Sequence, residues 1–242
     1  MRTPAPARNG LQSNGPDAMA GRVTLDDDIE WRVSRDLVPY PEALAFMEER
    51  AAAIRERGAR ECVWLLEHPP LFTAGTTADP KELFNPLDLP VFEAGRGGRY
   101  TYHGPGQRVG YLMLDLEKRG KDIRRFVNCL EGWMIDALAQ LGVVAHRAPG
   151  RIGIWVGNGA EEAKIGALGV RVKRWVTLHG FALNVAPDLS HFSGIVPCGI
   201  AEFGVTSVEQ VGKQSGLQAV DAALESSFPQ FLKGLGEERK VS

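Results

Sequence analysis

The sequence predicts an α+β fold in which helices flank a mixed β-sheet, and three observations carry that expectation. Apolar residues recur at helical spacing in three separated segments, at residues 41–57, at 122–141 and from 217 onward. The stretch 108–116, RVGYLMLDL, is apolar on both faces, as a central strand between two packed layers is. Strand-like runs then follow in quick succession at 143–147, 152–156, 164–173 and 176–185, with connections short enough for antiparallel hairpins. Helix, strands, helix, strands, helix is the pattern of a mixed sheet with helices packed on it.

Residues 1–28 are dominated by proline, glycine and small polar residues and end in Asp26-Asp27-Asp28. They show no apolar periodicity and read as a disordered extension before a single domain over 29–242. The extension lacks the apolar centre of a secretory signal. In the first helix Leu44, Met47, Ala51 and Ile54 face one way, Pro41 suits the first turn and Gly58 ends it. A strand over 61–67 is closed by His68-Pro69-Pro70. Residues 71–91, broken by Gly75, Pro80, Pro86 and Pro90, are expected to be mostly loop. In the second helix Ile123, Phe126, Val127, Leu130, Trp133, Met134, Ala137, Leu138 and Leu141 trace one stripe, with Gly142 just beyond. The last helix turns Val220, Leu224 and Phe228 inward, and Pro229 is expected to kink or split it.

The chain has 242 residues, 44% apolar and 24% charged, the balance of a globular protein with a real core. Its 28 lysines and arginines against 30 acids leave a formal charge of −2, which argues against binding nucleic acid through a bulk basic field. Cys62, Cys129 and Cys198 are too few and too scattered for a disulfide framework or a zinc cluster, so a reducing compartment, the cytoplasm, is expected. The histidines never fall at the i, i+4 spacing of a helical zinc pair, and no metal or cofactor is expected. No apolar run approaches the ~18–20 residues that span a bilayer, so no membrane association is expected.

Three segments are unusual for a plain scaffold. The first, residues 96–107 (RGGRYTYHGPGQ), holds four glycines, the residue that lets backbone approach a ligand closely, yet it matches neither standard nucleotide-binding glycine motif. It reads equally as a tight turn or a ligand loop. The second, residues 164–172 (KIGALGVRV), places Lys164 by period two on one face with Gly166, Leu168 and Val170. Such a lysine either snorkels from an edge or sits partly buried, the setting in which an amine becomes a base. The third, residues 195–200 (IVPCGI), puts Cys198 in a loop between proline and glycine. Cys62 and Cys129 fall inside periodic elements and read as packing residues, so Cys198 is the nucleophile candidate.

Together RGGRYTYHGPGQ, KIGALGVRVKRWVTLHGFALNV and PCGI resemble the signature regions of the lipoyl(octanoyl) transferase family, over about residues 38–211. The resemblance implies the fold shared by biotin and lipoate protein ligase catalytic domains. It also implies octanoyl transfer in lipoate assembly through a cysteine–lysine dyad, with Cys198 as acyl-thioester nucleophile and Lys164 as its base or as the cation that lowers the thiol pKa. The family's acyl-binding positions fall on Arg96, Gly97, Gly98, Arg99, Tyr100, Thr101, Tyr102 and His103, on Ala167, Leu168 and Gly169, and on Gly180, Phe181 and Ala182. His68 in the HPP stretch joins them at the site.

The implied donor is octanoyl-acyl carrier protein. The implied acceptors are lipoyl domains of 2-oxoacid dehydrogenase E2 subunits and the glycine cleavage H protein. Because acyl carrier proteins are acidic, Arg147, Arg151, Arg171, Lys173 and Arg174 are candidates for a basic docking patch. The competing readings are an ATP-dependent lipoate or biotin ligase of the same fold, a non-catalytic domain that binds acylated proteins, and a thiol hydrolase.

Overall fold

Alternation along the central strands divides the protein into two cores. In β3 (Glu61–Glu67), Val63 and Leu65 point to one side while Cys62, Trp64 and Leu66 point to the other. In β7 (Gln107–Met113), Leu112 faces with the first set, and Val109, Tyr111 and Met113 face with the second. The first side is covered by α2 (Ile123–Gln140) and α3 (Leu217–Gly236), the second by α1 (Tyr40–Arg57). The structure is a computed structural model that describes residues 23–26, 29–195 and 203–236.

The remaining strands are β1 (Val23–Asp26), β2 (Ile29–Leu37), β4 (Leu71–Ala74), β5 (Val91–Glu93), β6 (Thr101–His103), β8 (Ala145–Ala148), β9 (Arg151–Val156), β10 (Ala163–Lys173), β11 (Val176–Asn184) and β12 (Gly204–Val205). The large sheet runs β1-β2-β3-β7-β11-β10-β9-β8, with β12 added parallel to β10, and a small sheet runs β5-β4-β6. Both parallel and antiparallel pairs occur, so the sheet is mixed and flanked by helices as the sequence predicts.

Local chemistry explains the helix ends. The αL residue Gly58 closes α1, and Asp122 caps α2 by accepting from the Arg125 N–H. Trp133 anchors the first core: its ring packs on Phe181, Phe228 and Phe231, and its indole N–H donates to the Leu224 carbonyl at 2.9 Å.

The structure departs from the sequence reading in four places. The stretch 71–91 is not mostly loop at its ends: β4 and β5 pair with each other, and β4 pairs with β6. Pro229 lies inside α3 without splitting it. Strand β2, which sequence reading did not find, pairs with β3, and Val23–Asp26 pairs with β2 from within the stretch read as an extension. In β10 the register shifts between Lys164 and Gly166. Ile165 therefore packs into the α2–α3 core beside Leu168, Val170 and Val172, and the expected common face of Lys164, Leu168 and Val170 does not form.

Candidate active site

Strand β10 pairs with β9 only as far as Gly166; beyond that its free edge is met by the glycine loop, whose Gly97 N–H donates to the Val170 carbonyl at 3.1 Å. Between loop and strands lies a cavity of about 380 Å³. Residues 96–101, His103, 167–169 and 180–182 all line it, as does Lys164. Of the expected positions, Tyr102 is turned away, its hydroxyl paired with His191 Nδ1 at 2.7 Å. His68 sits behind the wall, bonded to the lining residue Tyr111. Cys198 lies outside the described residues.

The glycine loop is held by its own arginine. Arg96 is 7% exposed, and its guanidinium donates to the carbonyls of Gly97, Arg99 and Thr73 and to the Thr73 hydroxyl oxygen, at 2.7–3.1 Å. Its stem lies against Gly169, where a Cβ would stand 2.6 Å from Arg96 Cδ. Gly75, Thr76 and Thr77 donate their N–H groups to loop carbonyls. Much of the loop's backbone is thus bonded to protein, and its glycines serve close packing as much as ligand approach.

Lys164 is 7% exposed. Its ammonium donates to the Ile152 carbonyl at 2.9 Å and lies 5.5 Å from the centre of the Trp155 ring. Gly153 makes room for it. The φ of Gly153 is +131°, and a Cβ there would sit 2.3 Å from Lys164 Cε. Sequence reading did not single out Gly153; a glycine inside a strand pattern was the available signal.

The deeper wall is a buried polar cluster. His68 Nδ1–H donates to the Val38 carbonyl at 2.6 Å, so Nε2 accepts from the Tyr111 hydroxyl at 2.7 Å. Burial holds the His68 imidazole down to about 4 and pushes the Tyr111 phenol well above its usual range. His103 Nδ1–H donates to Gln107 Oε1 at 2.7 Å, and burial first, then the neighbouring His68, holds it well below the usual imidazole value. Gln107 passes the network on to Asn184 Oδ1, and Asn184 to the Thr206 carbonyl. The Thr206 N–H donates to the backbone carbonyl of Lys164, so loop, sheet and lysine are tied by continuous hydrogen bonds. Tyr40 and His179 complete the wall, and neither was picked out from sequence.

The five candidate docking cations do not form a patch of unpaired charge. Arg147 pairs with Glu131, Arg151 with Glu162, Arg171 and Lys173 with Glu48, and Arg174 with Glu56. Each positive side chain already has a carboxylate beside it, which weakens the expected attraction for an acidic partner. Among the described residues no cluster of three or more metal-ligating side chains occurs, and no helix is long and apolar enough to cross a membrane.

A glycine-rich loop closes a cavity over a sheet edge beside a buried lysine, and comparison with known proteins gives the family of the chain. Residues 39–229 match the lipoyl protein ligase A/B catalytic domain. The chain belongs to that family. The octanoyltransferase of Rhizorhabdus wittichii is 62% identical over 213 residues, covering 88% of this chain and 96% of that protein. The octanoyltransferase of Sphingopyxis alaskensis is 66% identical over 207 residues, covering 85% and 95%. The structure of a bipartite lipoate protein ligase and its E2 lipoyl domain from Thermoplasma acidophilum contains a chain with the same fold, at a TM-score of 0.64 and 18% identity, covering 85% of this chain and 84% of that one. The α+β fold is therefore that of the lipoyl protein ligase A/B family.

Proposed function

We propose that the protein transfers an octanoyl group from octanoyl-acyl carrier protein to a lysine of lipoyl domains, those of 2-oxoacid dehydrogenase E2 subunits and of the glycine cleavage H protein, through a thioester on Cys198. The observation that carries this reading is Lys164, a nearly buried ammonium at an acyl-sized cavity, in a chain whose relatives are octanoyltransferases. Two further observations support Cys198 as its partner. Phe192 and Val205, on either side of the segment that contains Cys198, both line a small cavity together with Lys164. The two described cysteines do not serve: Cys62 is fully buried, with its thiol pushed up to about 12 by burial, and Cys129 packs against the α2–α3 core.

In the first step the Cys198 sulfur attacks the donor thioester carbonyl. The carbonyl–sulfur bond to the carrier breaks, and the proton lost by Cys198 passes to the departing carrier thiol by way of Lys164. In the second step the acceptor lysine amine attacks the Cys198 thioester, forming an amide and returning the thiol. A free thiol with pKa about 8.5 is only a few per cent thiolate at pH 7, so a neighbouring amine that takes or balances the proton is needed. Thioester to amide is downhill, so the reaction draws on no ATP.

The shared fold favours one second reading, an ATP-dependent ligase that activates the free acid. Incubating the protein and a lipoyl domain with octanoyl-acyl carrier protein, or with octanoate, ATP and magnesium, separates the two. Transfer in the first mixture alone is expected; transfer only in the second replaces the proposal.

A further inference from the structure

We propose that Arg151 is a positioning residue for the reaction: its guanidinium clamps Phe203, five positions after Cys198, onto the two strands that hold Lys164. The inference rests on the octanoyl-transfer reading above. Lys164 is held from both edges of β10. On one edge it pairs with Trp155 of β9, on the other with Val205 of β12, and its carbonyl accepts from the Thr206 N–H at 2.9 Å. Strand β12 is only two residues long, so backbone pairing alone gives that stretch little hold.

Arg151 supplies the rest. Its guanidinium carbon lies 4.3 Å from the centre of the Trp155 ring and 4.1 Å from that of Phe203, and the two rings meet edge to face at 5.5 Å. Its Nη2 donates to Glu162 Oε2 at 2.5 Å, two positions before Lys164 in the chain. Its Nη1 is buried with no hydrogen-bond partner among the described residues, so aromatic faces stand where acceptors would. One guanidinium thus joins β9, the entry to β10 and the entry to β12, the three segments around Lys164. A planar cation can stack on rings and bond a carboxylate at once; an ammonium cannot.

These contacts speak against Arg151 as a docking cation. Its charge is met by Glu162, whose carboxyl is held below its usual range by hydrogen bonds from His146 and then Arg151, so the pair stays ionised. An acidic carrier surface would meet a salt bridge there, not a free cation. The chemistry asks for something else. A proton moves between the Cys198 thiol and the Lys164 amine only when the two stand within hydrogen-bond reach, and Phe203 and Lys164 are the clamped points nearest them in the chain. The expected acyl contacts, 167–169 and 180–182, lie further along the β10–β11 pair. Loosening the clamp therefore slows thioester formation and leaves donor binding in place.

The test is the time course of octanoyl uptake without acceptor, followed by intact mass, from octanoyl-acyl carrier protein and from octanoyl-pantetheine, a thioester with no protein surface. Wild type, Arg151→Lys, Phe203→Leu and Phe203→Tyr are compared. Arg151→Lys and Phe203→Leu are expected to lower the maximal rate constant by about tenfold or more with both donors, as a small misplacement of reacting groups does. The half-saturating donor concentration and the final extent, one octanoyl per chain, should hold, and Phe203→Tyr, which keeps the ring, should stay near wild type. A fold defect instead lowers the extent and leaves the rate constant of the remainder in place; should Arg151→Lys fail in that way, Phe203→Leu decides alone. A wild-type rate constant from octanoyl-pantetheine in the variants that fold overturns the positioning role and leaves the functional reading standing; a raised half-saturating concentration for the carrier protein alone would make Arg151 a docking cation. Absence of octanoyl uptake by wild type removes the thioester reading and this proposal together.

Discussion

The two sides of the large sheet are built from the same strands but differ in kind. The side under α2 and α3 is hydrocarbon and aromatic rings, with Trp31, Trp133, Phe228 and Phe231 packed edge to face and stacked. The side that continues toward the small sheet buries His68, His103, His179, Tyr40, Tyr111 and Arg96 in a hydrogen-bonded network. The first arrangement holds the scaffold still. The second keeps polar side chains ordered, at the cost of desolvating them, in and behind the wall of the cavity.

Substitutions on the two sides should therefore fail differently. The largest expected effect is on activity: Gly153→Ala puts a Cβ where Lys164 Cε lies and forces alanine to φ +131°. Moving the ammonium by about 1 Å is expected to lower kcat/KM by about 100-fold. Near-normal turnover by that variant would show that the position of Lys164 does not matter. On the other side, Trp133→Ala is expected to cost about 3–5 kcal/mol of unfolding free energy through the cavity it leaves. Its folded fraction should retain octanoyl transfer. A loss of less than about 1 kcal/mol in urea unfolding would break the distinction between the two sides.

A smaller effect is read by pH. Folded His68 titrates at about 4, below the 6.5 of an unperturbed imidazole, because burial disfavours its charged form. Above about pH 6.5 the ring is neutral in both states. As pH falls below that, the unfolded chain binds the proton first, and stability is lost progressively until the folded ring titrates. The whole loss amounts to roughly 3 kcal/mol, because each pH step between the two titrations removes on the order of 1.4 kcal/mol. Urea unfolding of wild type and His68→Asn at pH 7 and pH 5 should show a steeper acid loss in wild type. Equal slopes would mean that His68 is not buried neutral.

The same contrast explains what the sequence could reveal. The hydrocarbon side was legible because Phe126, Leu130, Trp133, Met134 and Leu138 repeat at helical spacing, a local signal. Strand β2 does carry a strand signal, the period-two alternation of Ile29, Trp31 and Val33 with Glu30, Arg32 and Ser34, and it was missed because it adjoins the acidic run 26–28; β4 and β5 were obscured because prolines flank short strands. At the site, the glycine loop and Lys164 were odd enough in composition to stand out. Tyr40 and His179 were not: they are 139 positions apart, and each gains its meaning only from the other across the fold. The register shift beside Lys164 was likewise hidden, since period two assumes an unbroken strand.

Intact-protein mass spectrometry after exposure to octanoyl-acyl carrier protein tests the central claim most directly, with wild type, Cys198→Ala and Lys164→Arg side by side. The wild type should gain one octanoyl group that a lipoyl domain then removes, Cys198→Ala should gain none, and Lys164→Arg should gain it far more slowly, because a guanidinium keeps the charge but cannot carry the proton. Undiminished octanoyl transfer to a lipoyl domain by Cys198→Ala would contradict the thioester route.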